Sequence, residues 1–136
     1  MEALFLWHVC FTLMMTGIIW FVQVVHYPLF LGVGADVFAA YEARHRALTF
    51  WVVAPLMLAE LGSGLILLWL DGAPWTWLGA GLIGLNWAST FFIQVPLHAR
   101  LDAGYQQKYI RRLVNSNWLR TAAWSARAGL LLWVMG

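Results

Sequence analysis

The chain has 136 residues, of which 62% are hydrophobic and only 10% charged, with a formal net charge of +2. A soluble domain carries about 25% charged residues, and one domain of this length cannot bury so much apolar surface, so the excess must face lipid and residues 1–136 read as a single integral membrane domain. The small basic excess does not indicate a nucleic-acid partner, and the lone Cys10 excludes an intrachain disulfide and any cysteine-based metal cage.

The first apolar run extends from Ala3 to Phe30. It opens with Glu2 in place of a basic segment and is too long for a signal-peptide core, so it is expected to remain as a helix. A second span is predicted over Leu48–Leu70, with a helical extension from Val37. The stretch DGAPW, Asp71 to Trp75, holds Gly and Pro and reads as a tight turn. A third span follows over Trp75–His98 and a fourth over Asn117–Val134. Between these two, ARLDAGYQQKYIRRLVNS is polar and mixed, and is expected to form a short surface helix with an irregular start. The predicted fold is an all-α integral membrane four-helix bundle.

Lys and Arg set the expected orientation. Arg44 and Arg46 flank the first connection, and Arg100, Lys108, Arg111 and Arg112 lie in the third, whereas both termini and the DGAPW turn have none. Cytoplasmic loops carry the positive excess. In a bacterial inner membrane, both termini are therefore predicted outside the cytoplasm. Trp7, Trp69, Trp75, Trp77 and Trp133 then fall at the outer interface, where an apolar ring with a polar N–H is favoured.

The chain also shows an internal correspondence. Gln23 and Gln94 are 71 apart and His26 and His98 are 72 apart; at the same offset His45 matches Asn117 and Thr49 matches Thr121. Two spans separate the equivalents, which points to two parallel helix-pair repeats about an axis along the membrane normal. The polar groups then converge on the cytoplasmic end: Gln23 and His26, Glu42 and His45, Gln94 and His98, and Asn117, Arg120 and Thr121.

Deeper in the spans lie Glu60 and Arg127. An ionised side chain at mid-membrane needs a partner. At about 1.5 Å per residue, Glu60 is about 22 Å from the level of His45 and Arg127 about 15 Å from that of Asn117, a gap a long Arg side chain can bridge. His45, Thr49, Leu56 and Glu60 share one helical face, as do Asn117, Arg120, Trp124 and Arg127. His8 precedes His26 by five full turns and so shares its stripe, beside Trp7 near the outer surface.

Several chemistries suit these groups. His26, His45 and His98 are candidate ligands of a transition metal, with Glu42 as a further ligand or proton acceptor, and His26 with His98 could hold haem across the repeat axis. Glu42 and His45 have the spacing of the Glu-x-x-His element of di-iron bundles, but Asn117 stands where a second His would fall. Gln23, Gln94, Asn117, Arg120 and Trp124 are candidate contacts to cofactor or substrate, and Glu42, Glu60 and Arg127 candidate catalytic groups. The leading expectation is a membrane oxidoreductase acting on a lipophilic quinone-like or aromatic substrate. One alternative is a non-catalytic module binding a pigment, quinone or lipid, with Arg120 and Arg127 holding an anionic group; another is a proton-coupled carrier using Glu60 and Arg127. The expected partners are membrane lipid and a lipophilic small molecule, and the sequence is compatible with a homo-oligomer. Against these stand structural roles: His and Gln as interfacial helix caps, Glu60 with Arg127 as a packing ion pair, and the exposed arginines as topology signals.

The runs TGIIWFVQVVHYPLF, YEARHR, VVAPLMLAE, QVPLHARL and NWLRTAAWSAR resemble a family of small bacterial four-span membrane proteins over nearly the whole chain. That family is distantly similar to anthrone oxygenase-like membrane proteins, which also place isolated His residues in a four-helix bundle. The resemblance implies oxidative chemistry on an aromatic or quinone-like molecule and assigns no residue a role.

Overall fold

The computed structural model describes all residues, Met1–Gly136, and contains four long helical rods and no strand. They are α1 (Glu2–Gly32), α2 (Phe38–Asp71), α3 (Pro74–Leu101) and α4 (Gln107–Met135). They run up, down, up and down, each packed on its neighbours in sequence, with α4 closing against α1. α1, α2 and α3 are long and apolar enough to cross a membrane. α4 is of similar length but carries buried Asn117, Arg120, Thr121 and Arg127 through its middle.

The turn between α2 and α3 follows from its sequence. Gly72 adopts φ 63°, a left-handed conformation suited to glycine, and its N–H closes α2 on the Leu68 carbonyl. Ala73, restricted by the proline after it, is extended, and Pro74 opens α3 where its missing N–H costs nothing. The other two connections lie at the opposite end, with all the Lys and Arg outside the bundle interior; we call this the basic end. The interfacial tryptophans Trp7, Trp69, Trp77 and Trp133 are exposed at the end that holds the termini.

The expected surface helix does not exist as a separate element. Gln107–Ser116 forms the first turns of α4, continuous with the rest of it, and only Asp102–Gln106 is non-helical. The reason lies on one face: Ile110 and Leu113 are fully buried against Tyr27, Phe30, Phe38 and Leu101, so the segment is a bundle element with a polar outer side.

Two rods contain a wide turn. Val22–His26 in α1 and Thr90–Gln94 in α3 are π-helical, with Tyr27 N–H reaching Val22 O and Val95 N–H reaching Thr90 O. Each precedes a proline, Pro28 or Pro96. A proline inside a helix lacks a donor and crowds the carbonyl four residues back, and a widened turn absorbs that conflict. The prolines and the wide turns are both offset by 68 residues, whereas the sequence correspondence of Gln and His runs at 71 and 72. Backbone and side-chain correspondences therefore differ in register, and by backbone position His26 matches Gln94 and not His98.

The bundle buries sixteen hydrophobic and sixteen polar or charged side chains, while its outer surface is rich in exposed Leu, Val, Phe and Trp. That distribution, inverted relative to a soluble bundle, is what a lipid solvent selects. Along the axis the interior alternates. A polar network near the termini is followed by an apolar layer of Met15, Ile19, Met57 and Trp124. A second polar region follows, and the aromatic cluster around Phe30 and Phe38 closes the basic end.

Candidate functional site

The second polar region joins all four helices, with Asn117 and Arg120 supplied by α4. The wide turn in α1 aims Gln23 and Tyr27 inward; α2 supplies Glu42 and His45 one turn apart; α3 supplies His98. Glu42 is wholly buried, and its Oε1 accepts from His98 Nδ1 in a short contact. His98 Nε2 lies 3.1 Å from the Tyr27 hydroxyl. A carboxylate that accepts a hydrogen bond from Nδ1–H fixes the imidazole tautomer and leaves Nε2 to accept from the phenol. Arg120, from α4, is also buried in this region. Arg120 donates to Asn117 Oδ1 at 3.2 Å and lies over the Trp124 ring at 5.1 Å. Glu42, His98 and Tyr27 thus form a hydrogen-bonded line, with Glu42 at one end.

His45 is the neighbour shared by the other imidazoles. Its Nδ1 lies 2.7 Å from His26 Nε2 and 3.2 Å from Thr49 Oγ1, and its ring centre is 4.6 Å from that of His26 and 5.5 Å from that of His98. The expected direct meeting of His26 with His98 does not occur. Each is tied elsewhere, His26 to His45 and His98 to Glu42. The set is arranged as two hydrogen-bonded pairs, and no three His, Cys, Asp or Glu side chains surround a common point as a coordination sphere. Glu42 Oε2 has no partner in the chain.

Beside this cluster, Asn117 Nδ2 donates to Gln23 Oε1 at 3.0 Å and Gln23 Nε2 donates to the Val114 carbonyl at 3.1 Å. Gln94, on the opposite wall, donates to Ser116 Oγ at 3.1 Å, and its own Oε1 is unpartnered. Gln23 and Gln94 therefore serve different neighbours and are not symmetry mates in function.

The deeper network is more completely satisfied. Glu60 Oε1 accepts from Arg127 Nε at 3.0 Å and from Thr12 Oγ1 at 2.9 Å, and Oε2 accepts from Trp124 Nε1 at 2.9 Å. Arg127 also donates to the Gly79 carbonyl in a short contact, and its Nη2 lies 2.9 Å from His8 Nε2. His8 Nδ1 in turn lies 2.7 Å from Ser63 Oγ. With every arm of Arg127 engaged and its charge matched by Glu60, it is not free to hold an anionic ligand.

His8 lies toward the end that holds the termini, as its place beside Trp7 implies, but it points inward and is 3% exposed, inside this network. The five-turn stripe from His8 to His26 assumes an unbroken α-helix; the wide turn shifts the register, so Tyr27 takes the inward place and His26 sits half-buried at the side. Sequence reasoning also missed Tyr27, Thr12 and Ser63. The available signals were i, i+4 spacings: His8 to Thr12, and Gln23 to Tyr27.

No family model matches the chain, and neither a curated protein nor a solved structure matches it.

Proposed function

We propose that the protein is a membrane oxidoreductase centred on His26, His45, His98 and Glu42, with a transition-metal ion as cofactor and a lipophilic quinone-like or aromatic molecule as substrate. The observation that carries this reading is the Tyr27–His98–Glu42 line packed against His45 and His26. Three imidazoles, a carboxylate and a phenol are expensive to bury inside a membrane bundle, and such groups mark functional pathways. Imidazole nitrogen and carboxylate oxygen suit a first-row transition ion.

An ion fits better than haem. The touching imidazoles leave no gap for a porphyrin plate between them, whereas their ring nitrogens and the Glu42 carboxylate suit an ion. His26, His45, His98 and Glu42 are the residues that would hold such an ion. The unpartnered Glu42 Oε2 is a ready donor. A bound ion would supply Lewis-acid or one-electron chemistry; Glu42 orients His98, and His98 Nε2 takes a proton leaving Tyr27, giving an imidazolium paired with Glu42. We place this end of the bundle on the cytoplasmic side, following its arginines.

Metal analysis and an absorption spectrum of the purified protein test the proposal. The expected result is one transition ion per chain without a Soret band, lost in His45→Ala and in His98→Ala and kept in His8→Ala. A metal-free protein that co-purifies with a quinone, pigment or lipid would replace this reading by a binding module. A proton-coupled carrier through Glu60 and Arg127 stands second, because both side chains are already engaged by Thr12, Trp124, Gly79 and His8.

A further inference from the structure

The strongest unassigned feature is a cleft on the lipid-facing side of the bundle, between α3 and α4 at the basic end. It has a volume of about 300 Å³. Its wall is apolar, formed by Phe92, Ile93, Pro96 and Leu97, and its rim is cationic, formed by Arg100 and Arg112. The wall coincides with the wide turn Thr90–Gln94 and the proline after it, which makes this stretch of α3 unlike a regular helix.

The two cations are presented differently. Arg100 is steadied by Tyr109: its Nη1 donates to the Tyr109 hydroxyl at 2.9 Å, and its guanidinium lies 5.2 Å from the ring centre. Arg112 is uncommitted, since the three ion pairs of the chain belong to Arg46, His98 and Arg127. Neither cleft arginine has a carboxylate partner. Deeper in the cleft is Ser116, whose Oγ receives the Gln94 amide at 3.1 Å while Gln94 Oε1, in a side chain 2% exposed, has no partner.

We propose that this cleft binds one acidic phospholipid. The headgroup phosphate lies between Arg100 and Arg112, where the forked guanidinium geometry matches phosphate oxygens. A headgroup or glycerol oxygen reaches Ser116, and an acyl chain lies along Phe92 and Ile93. The charge of the rim, the apolar wall below it and the position at one end of a membrane bundle all match a lipid of this class. The site is independent of the histidine cluster and of any metal there.

Native mass spectrometry of the full-length protein in detergent tests it, with phosphatidylglycerol and phosphatidylcholine of identical acyl chains as probes. The expected result is one phosphatidylglycerol retained per chain, with phosphatidylcholine bound at least about tenfold more weakly. R100Q/R112Q should lose about tenfold in phosphatidylglycerol binding, whereas R44Q/R111Q, which removes as much charge from the same end outside the cleft, should lose none. S116A should weaken binding by a few fold. Where the double variant fails to insert, R112Q alone carries the test, because Arg112 has no partner in the chain to lose. Equal binding of the two lipids overturns the proposal, and so does an equal loss in R44Q/R111Q, which would reduce the effect to diffuse surface charge.

Discussion

Arg127 Nε lies 3.0 Å from Glu60 Oε1, and both side chains are almost wholly buried among the four helices. Removing one member leaves the other charged and uncompensated in an apolar medium. Glu60→Gln or Arg127→Met alone should therefore destabilise the bundle by about 3–5 kcal/mol, and the double replacement should restore much of that loss. Thermal unfolding of the four proteins in one detergent measures the coupling. Additive losses would show that the pair does not act as a unit.

His8 connects Arg127 to Ser63 from a third helix. His8→Ala removes one partner from each, while Ser63 keeps the Ala59 carbonyl and Arg127 keeps Thr12, and should cost about 1–2 kcal/mol for the two lost hydrogen bonds. A stability change within about 0.5 kcal/mol would mean that His8 is peripheral to the network.

Asn86 presents the opposite case. It is 1% exposed, and neither its oxygen nor its nitrogen has a partner within the chain. An unbonded amide in that position is a cost that an apolar residue of similar size avoids. Asn86→Leu should therefore leave unfolding temperature unchanged or raise it. A clear fall would show that the amide is held by a molecule from outside the chain.

Orientation follows from the arginines at the basic end. A periplasmic reporter, such as alkaline phosphatase, fused after Gly136 should be active, and a reporter that folds only in the cytoplasm should be silent there. The reverse result would move the histidine cluster and the lipid cleft to the other face of the membrane.

Much of this architecture was legible in the chain. Long apolar runs are unambiguous in lipid, the Gly72–Ala73–Pro74 sequence specifies its own turn, and two isolated charges at matched depth require one another, which pairs Glu60 with Arg127. The convergence of Gln23, His26, Glu42, His45, Gln94, His98 and Asn117 on one end also followed from helix direction alone. Their partners did not. Which imidazole meets which depends on the rotation of each helix end, and that rotation is set by how the backbone yields before Pro28 and Pro96. Tyr27 was hidden because a tyrosine at the end of an apolar run reads as an interfacial residue. His8 was hidden because its neighbour Trp7 does face outward.

The inward residues of α1 are His8, Val9, Thr12, Met15, Ile19, Gln23, Tyr27 and Phe30. Between Met15 and Tyr27 they fall at three successive steps of four. In a uniform helix, at about 100° per residue, that spacing would drift by about 120° around the rod; the wide turn at Val22–His26 takes up the drift. It therefore acts as a change of reading frame within one helix. The half that builds the Glu60 network is aimed in one frame and the half that builds the histidine cluster in another, so either half can be redirected while the other stays in place. Deleting one residue inside Val22–His26 would leave eleven steps from Met15 to Tyr27, a drift of only about 20° in an ordinary helix, and so keep both His8 against Arg127 and Tyr27 toward His98, whereas straightening the turn without a deletion would swing Tyr27 away.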